Sequence, residues 1–323
     1  MKAFVLHEYE GPLALKLEEC DVPLRGAGEV LISVEAVGIN FPDLLITQGS
    51  YQLRPDLPFV PGCEVAGIVD EAPEGSDLKP GDRVAAFTWT GGFAEKVSIP
   101  ERSVVSAGDL SARDAAGLVV NYHTGLFALE RRAKLGGGTD VLVLGGAGGI
   151  GTAAVQVARA LGARVVAGVR TEARAETARA AGADEVVVLG EGFSKAVRAL
   201  TPGGRGFDVI VDPVGGPLFD EALRSLAPEG QVVIVGFAAG GIPTVQTNRL
   251  LLRNVGVIGA AFGAFLDLEP GLMARQMKTL LAMASRGLIR PQLEESVAFA
   301  QIPTLLDRLQ RGEVRGKAVV RVR

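Results

Sequence analysis

Cysteine is nearly missing from this chain of 323 residues. Cys20 and Cys63 are too few for a disulfide framework, so the sequence reads as a protein of a reducing cytoplasm. Aromatic residues make up only 5%, and no apolar run is long enough to span a bilayer without a charge or turn residue inside it. The opening residues, Met1-Lys2-Ala3-Phe4-Val5-Leu6-His7-Glu8, lack the long apolar core of a secretory signal. Neither sign of charge is in excess. The formal net charge of −4 gives no basis for a nucleic-acid or other polyanion partner. Glycine, by contrast, is abundant at 43 residues, which fits an α/β protein of many short elements and turns. The length suffices for two domains of ordinary size.

The most informative stretch begins at Val141. Val141-Leu142-Val143-Leu144 reads as a buried parallel strand, and the small residues after it turn the chain into a helix, Thr152 to Leu161, closed by Gly162. Gly146, Gly148 and Gly151 occupy the three glycine positions of G-x-G-x-x-G. Glycine serves three ends there: a tight turn, a backbone that can approach phosphate oxygens, and close packing of helix on strand. The helix N-terminus adds free N–H groups and a favourable dipole for an anion. The pattern alone also occurs in turns that bind nothing. Here it follows a strand, opens a helix, and is succeeded by a second strand at Arg164–Gly168, which makes Gly146, Ala147, Gly148, Gly149, Ile150 and Gly151 a predicted dinucleotide cradle.

The end of that second strand selects the nucleotide. A site for NAD usually carries an acid there, about 20 residues past the glycines, to accept from the ribose 2′-hydroxyl. This chain has Gly168-Val169-Arg170-Thr171-Glu172-Ala173-Arg174. Arg170 and Arg174 suit bidentate contact with a 2′-phosphate, so the cofactor is predicted to be NADPH. The alternative is that both arginines are solvated and Glu172 pairs with one of them.

Residues before about 106 read as short β segments at Lys2–His7, Leu13–Glu18, Glu29–Val37, Cys63–Glu71, Arg83–Phe87 and Gly92–Val97, with one short helix near Asp43–Thr47. From about Tyr122 the texture becomes alternating strands and helices, with strands at Asp184–Leu189, Phe207–Asp212, Gln231–Val235 and Asn254–Ala260. That alternation predicts a doubly wound parallel sheet. A helix at Leu272–Arg286 and a strand at Lys317–Val322 return the chain to the first domain. The predicted division is 1–121 with 262–323, and 122–261.

Three stretches carry a family resemblance that runs essentially end to end. Val37-Gly38-Ile39-Asn40-Phe41-Pro42-Asp43 resembles V-G-x-N-x-x-D, Pro61-Gly62-Cys63-Glu64-Val65-Ala66-Gly67 resembles P-G-x-E-x-x-G, and Gly146 to Gly151 with Gln156 and Arg159 resembles the matching nucleotide signature. They are those of the quinone oxidoreductase (zeta-crystallin-like) branch of the medium-chain dehydrogenase/reductases. The resemblance implies an α/β chain made of a GroES-like β-barrel domain split around a Rossmann domain, with the active site in the cleft between them. The zinc-dependent relatives need Cys, His or acid, and Cys ligands at tetrahedral spacing. Where they carry C-H-x-D this chain has Asn40-Phe41-Pro42-Asp43, and where they carry G-H-E it has Gly62-Cys63-Glu64. A structural lobe of four cysteines is impossible, and His123 has no second ligand at metal spacing. No metal site is therefore expected, and Cys63 reads first as a small buried residue and second as a reactive thiol.

Acceptors that need little polarisation remain: a quinone, or the β-carbon of a conjugated carbonyl, reduced by hydride when correctly positioned. The resemblance places Asn40, Asp43, Tyr51 and Thr124 along the catalytic cleft. Asn40 and Thr124 would meet the nicotinamide-ribose end, and Tyr51 would stack on a planar acceptor or donate a proton. Each has a plainer reading: Asn40 as a turn residue, Asp43 at a helix start, Tyr51 as a loop aromatic. The resemblance also brings Pro213, Val214, Gly236, Phe237, Phe262 and Lys317 toward the cofactor. Many relatives carry tyrosine where this chain has Leu189. Three functions stand: an NADPH-dependent quinone oxidoreductase, an enoyl or alkenal reductase of the same fold, and a non-catalytic nucleotide-binding protein. Asn254–Phe262, apolar and without proline or lysine, is an edge suited to pairing in a homodimer.

Overall fold

The computed structural model describes residues 1–295 and 297–322. They form two compact units: residues 1–120, 269–281 and 293–323 in one, and 121–268 and 282–292 in the other. The boundary thus differs from the division expected at 261/262. Residues 262–268 group with the second unit because the Phe262 ring packs 5.4 Å from His123 and 6.1 Å from Phe127. Residues 282–292 do so because the backbone of Arg290 is tied at both its N–H and its carbonyl to the Gln156 side chain.

The first unit is a mainly antiparallel, barrel-like β structure organised around Glu29–Gly38, with one parallel pair at Val297–Ala298 and Val319–Arg321. Val30, Ile32 and Val34 alternate into its core, as a period of two requires for a half-buried strand. The sheet order is Val297–Ala298, Val319–Arg321, Glu29–Gly38, Glu64–Glu71, Arg83–Phe87, Val104–Ser106, and Lys96–Pro100 also pairs with Glu29–Gly38. The C-terminal strand therefore lies directly against one near the N-terminus. Two expected strands move. Pro12–Ala14 forms a tight helical turn, so its strand starts at Lys16. At Gly92–Val97, Gly92 and Phe93 give their N–H groups to the carbonyls of Gly62 and Pro61, and the strand proper is Lys96–Pro100. The short helix is Phe41–Thr47, with Pro42 in its first turn where a missing N–H costs nothing.

The second unit is a six-stranded parallel sheet in the order Glu185–Val188, Arg164–Val169, Asp140–Leu144, Phe207–Asp212, Leu226–Ile234, Gly256–Gly259. All five residues of Asp140–Leu144 are buried, which explains why that strand reads as a continuous apolar run. The order reverses between Asp140–Leu144 and Phe207–Asp212, and ligands of such sheets bind at the carboxyl ends of the strands at that switch point. Gln156, on the helix Gly149–Ala160, accepts the Tyr122 hydroxyl at 2.7 Å and holds that helix in place.

Candidate functional site

The glycine turn separates what the fold requires from what it leaves open. Gly145 has φ +61°, a conformation that favours glycine. A Cβ on Gly146 would lie 2.7 Å from the Ala167 methyl on the neighbouring strand, and one on Gly151 would run into the Gly145 carbonyl oxygen. Those two glycines are demanded by helix-on-strand packing. Gly148 is different. Its φ is an ordinary −89°, and an added Cβ would meet only the Gly145 carbonyl oxygen at a comfortable 3.5 Å. Nothing among the described residues asks for glycine there, whereas a phosphate approaching the backbone would. The first-turn N–H groups of Gly149, Ile150 and Gly151 have no acceptor within their own helix. The turn thus fits a dinucleotide pyrophosphate.

Around this turn, Arg170 is exposed just past the strand Arg164–Val169, and Arg174 is half-buried in the turn Glu172–Arg174. Glu172 lies 3.3 Å from Arg179. Leu189 sits against Gly168, where an added Cβ would meet its side chain at 2.6 Å. At the end of the next strand, buried Asp212 accepts the N–H groups of Val214 and Gly215 at 2.8 Å each and so shapes the turn from Pro213 onward. Burial pushes its carboxyl pKa up despite those bonds. A Cβ on Gly215 would stand 2.9 Å from the Phe237 ring, so this turn packs on the one at Gly236-Phe237. Thr124 is buried on the helix Ala112–Leu126.

In the first unit the chemistry gathers around a buried ion pair of which the sequence had singled out Lys317 but not Glu64. Glu64, 0% exposed, meets Lys317, 3% exposed, whose ammonium also donates to the Asn40 side-chain oxygen. The Asn40 amide nitrogen donates to the Gly38 carbonyl at 3.2 Å and to Glu64 at 3.0 Å. The other Glu64 oxygen accepts the Val120 N–H at 2.6 Å. Both amide hydrogens of Asn40 are therefore committed within this unit, and Lys317 points inward. Gly38 has to be glycine, because a Cβ would overlap the Glu64 carboxylate.

Asp43 lies next to this network, fully buried. One of its oxygens accepts the Asn40 N–H at 2.8 Å; the other has no aligned hydrogen-bond partner among the described residues, the Cys63 thiol beside it being a weak donor. Burial raises the Asp43 pKa to about 6, with the Cys63 thiol, the Asn40 N–H and Lys317 holding it back. The Cys63 thiol is itself pushed up by burial, then by Asp43 and Glu64, so it stays protonated. Tyr51 is half-buried and its phenol is likewise pushed up, by burial first. Its ring lies 6.0 Å from that of Trp89. Glu64, Trp89 and Asp212 were missed as site residues. The single tryptophan and the acid of P-G-x-E were the available signals for two of them.

Two family profiles match: one described as an alcohol dehydrogenase GroES-like domain over residues 26–109, and one described as a zinc-binding dehydrogenase over residues 149–281. Quinone oxidoreductase-like protein 2 of Bos taurus is 38% identical, over 85% of this chain and 79% of its own length. A solved structure of a probable oxidoreductase from Mycobacterium abscessus is 41% identical at a TM-score of 0.92, covering 100% of this chain and 99% of the other. A mycobacterial protein solved in complex with NADPH is 30% identical at a TM-score of 0.93, with 100% of both chains covered.

Proposed function

This chain belongs to the quinone oxidoreductase family of the medium-chain dehydrogenase/reductases, and from that premise we propose that it reduces a quinone with NADPH and without a metal ion. The observation that carries the reading is the room left at Gly148, in a turn where the fold itself requires Gly145, Gly146 and Gly151. When bound, NADPH supplies the hydride. The second unit contributes the helix N-terminus at Gly149–Gly151 for the pyrophosphate and Arg170 with Arg174 for a 2′-phosphate. The mycobacterial relative solved with NADPH supports the same choice of cofactor.

In the first unit, Lys317 and Glu64 lock the Asn40 amide, so that Asn40 has only the remaining capacity of its oxygen to offer a ligand. Tyr51, its phenol kept neutral, presents a ring face and a hydroxyl that has no protein partner among the described residues. Metal independence rests on chemistry at the two positions where zinc relatives place ligands. One holds Asn40, a neutral amide whose two hydrogens are committed to Gly38 and Glu64, and the other Cys63, while the neighbouring acid Glu64 is taken up by Lys317. A quinone accepts hydride without a Lewis acid, and its second oxygen takes a proton from water to complete the hydroquinone.

The test is NADPH consumption against a panel of quinones and conjugated enones, with zinc content measured on the same protein. Quinone turnover in chelator with no stoichiometric zinc is expected. Consumption with neither class, or one zinc per chain, overturns the reading. A homodimer through the exposed sheet edge Gly256–Gly259 belongs to the same proposal. A monomeric mass by light scattering at micromolar protein rejects it.

A further inference from the structure

The only tryptophan of the chain, Trp89, is held in place more firmly than an ordinary loop residue. The segment around it is fastened on both sides to residues 60–63. Thr88 N–H donates to the Cys63 carbonyl at 3.0 Å, Gly91 N–H to Val60 at 2.6 Å, Gly92 N–H to Gly62 at 3.0 Å and Phe93 N–H to Pro61 at 2.8 Å. The Thr88 hydroxyl spans the tip to the Thr90 carbonyl at 2.7 Å. The buried Phe87 ring packs against the indole nearly at right angles, 4.9 Å away and inclined by 78°. On another side the Tyr51 ring stands 6.0 Å away, inclined by 43°. Trp89 and Tyr51 remain half-exposed. Large aromatic side chains in such a protein are normally buried, so two that stay partly exposed and inclined toward each other are surface with a use.

We propose that Trp89 and Tyr51 together form a recognition site for a planar aromatic carbonyl, and that Trp89 sets the preference for fused-ring quinones over small non-aromatic enones. This rests on the reading of the chain as a quinone reductase and names the acceptor class. Three features converge. Two π faces offer more stacking area than a short enone can cover. The Tyr51 hydroxyl is an available donor for one carbonyl oxygen, and burial keeps it protonated. The backbone fastening at 60–63 and 88–93 fixes the indole before any ligand arrives, so little ordering entropy is lost on binding. Stacking acts on ground state and transition state alike, so Trp89 is a specificity-determining residue whose effect falls on KM rather than kcat.

The experiment uses naphthoquinone and cyclohexenone, carbonyls with and without an aromatic ring. The first readout needs no cofactor: emission from the sole tryptophan is followed as each compound is added to the protein alone. Saturable quenching by naphthoquinone and none by cyclohexenone is expected; quenching that never saturates, or is equal for both, overturns the proposal. The second readout is kcat/KM with NADPH. Trp89→Leu is expected to lower the naphthoquinone-to-cyclohexenone ratio by about 2- to 12-fold, through KM, while Trp89→Phe restores most of it. An unchanged ratio in Trp89→Leu, with quinone turnover intact, sinks the proposal and leaves the quinone reductase reading standing. Saturable quenching without turnover of either compound sinks that reading and leaves the recognition site standing. Should the Leu variant fail to fold, the wild-type titration and Trp89→Phe still decide.

Discussion

Removing the Lys317 ammonium is the sharpest test of how the first unit is built. In Lys317→Met the alkyl stem keeps its packing, while Glu64, at 0% exposure, loses its counter-charge. Breaking a buried pair by deleting one partner costs about 3–5 kcal/mol, because the remaining charge is stranded in a medium that solvates it poorly. Two bonds survive on Glu64, from the Val120 N–H at 2.6 Å and from the Asn40 amide at 3.0 Å. They soften the penalty, so the lower end, about 3 kcal/mol, is expected. The double variant Glu64→Gln, Lys317→Met removes both charges and should recover about 2 kcal/mol of that loss, since a neutral pair strands nothing. Urea unfolding followed by Trp89 emission is the appropriate assay, because the tryptophan lies in the same unit as the pair and reports on it alone. A single variant within about 0.5 kcal/mol of wild type, or a double variant no better than the sum of its singles, would refute the reasoning.

Three further outcomes are expected. Changing Arg170 and Arg174 together to Ala should weaken NADPH binding by about 1–3 kcal/mol and leave NADH nearly untouched; equal losses by titration calorimetry place the arginines elsewhere. Gly148→Ala should unfold like wild type yet bind NADPH about tenfold more weakly, whereas Gly151→Ala, whose methyl runs into the Gly145 carbonyl, should lose stability first. The Asp43 pKa, raised from 3.8 to about 6, makes the folded state bind a proton more tightly than the unfolded one, so its contribution is complete below the unfolded value and lost as pH rises through about 6. Urea midpoints should therefore show Asp43→Asn gaining up to about 3 kcal/mol on wild type between about pH 4 and pH 8, and a difference that does not change with pH would contradict the burial of an ionising carboxyl.

The two halves of this protein were not equally legible, and the reason is the range over which each is specified. The nucleotide turn is local: a strand, three glycines and a helix within a dozen or so residues contain the geometry, so the turn could be located from sequence, and the structure adds that Gly146 and Gly151 are the two held by close packing. The parallel sheet followed for the same reason, since buried strands and amphipathic helices announce themselves by their own period. The ion pair could not be read in that way. Lys317 and Asn40 are 277 positions apart, and they meet only because Val319–Arg321 pairs with Glu29–Gly38. A lysine after glycine just ahead of a strand carries no sign of which way its side chain turns. Trp89 was hidden for a related reason: its neighbour Tyr51 is brought to it by a separate connection, and no periodicity links a ring at the tip of one loop to a ring in another. What the sequence did hold was rarity. One tryptophan in a chain of 323 residues, left half-exposed on a fastened loop, is costly to keep as mere filling. A buried acid in P-G-x-E is costly in the same sense, and its required glycine at position 38 could have pointed to it, because a strand residue without a side chain marks where something else must fit.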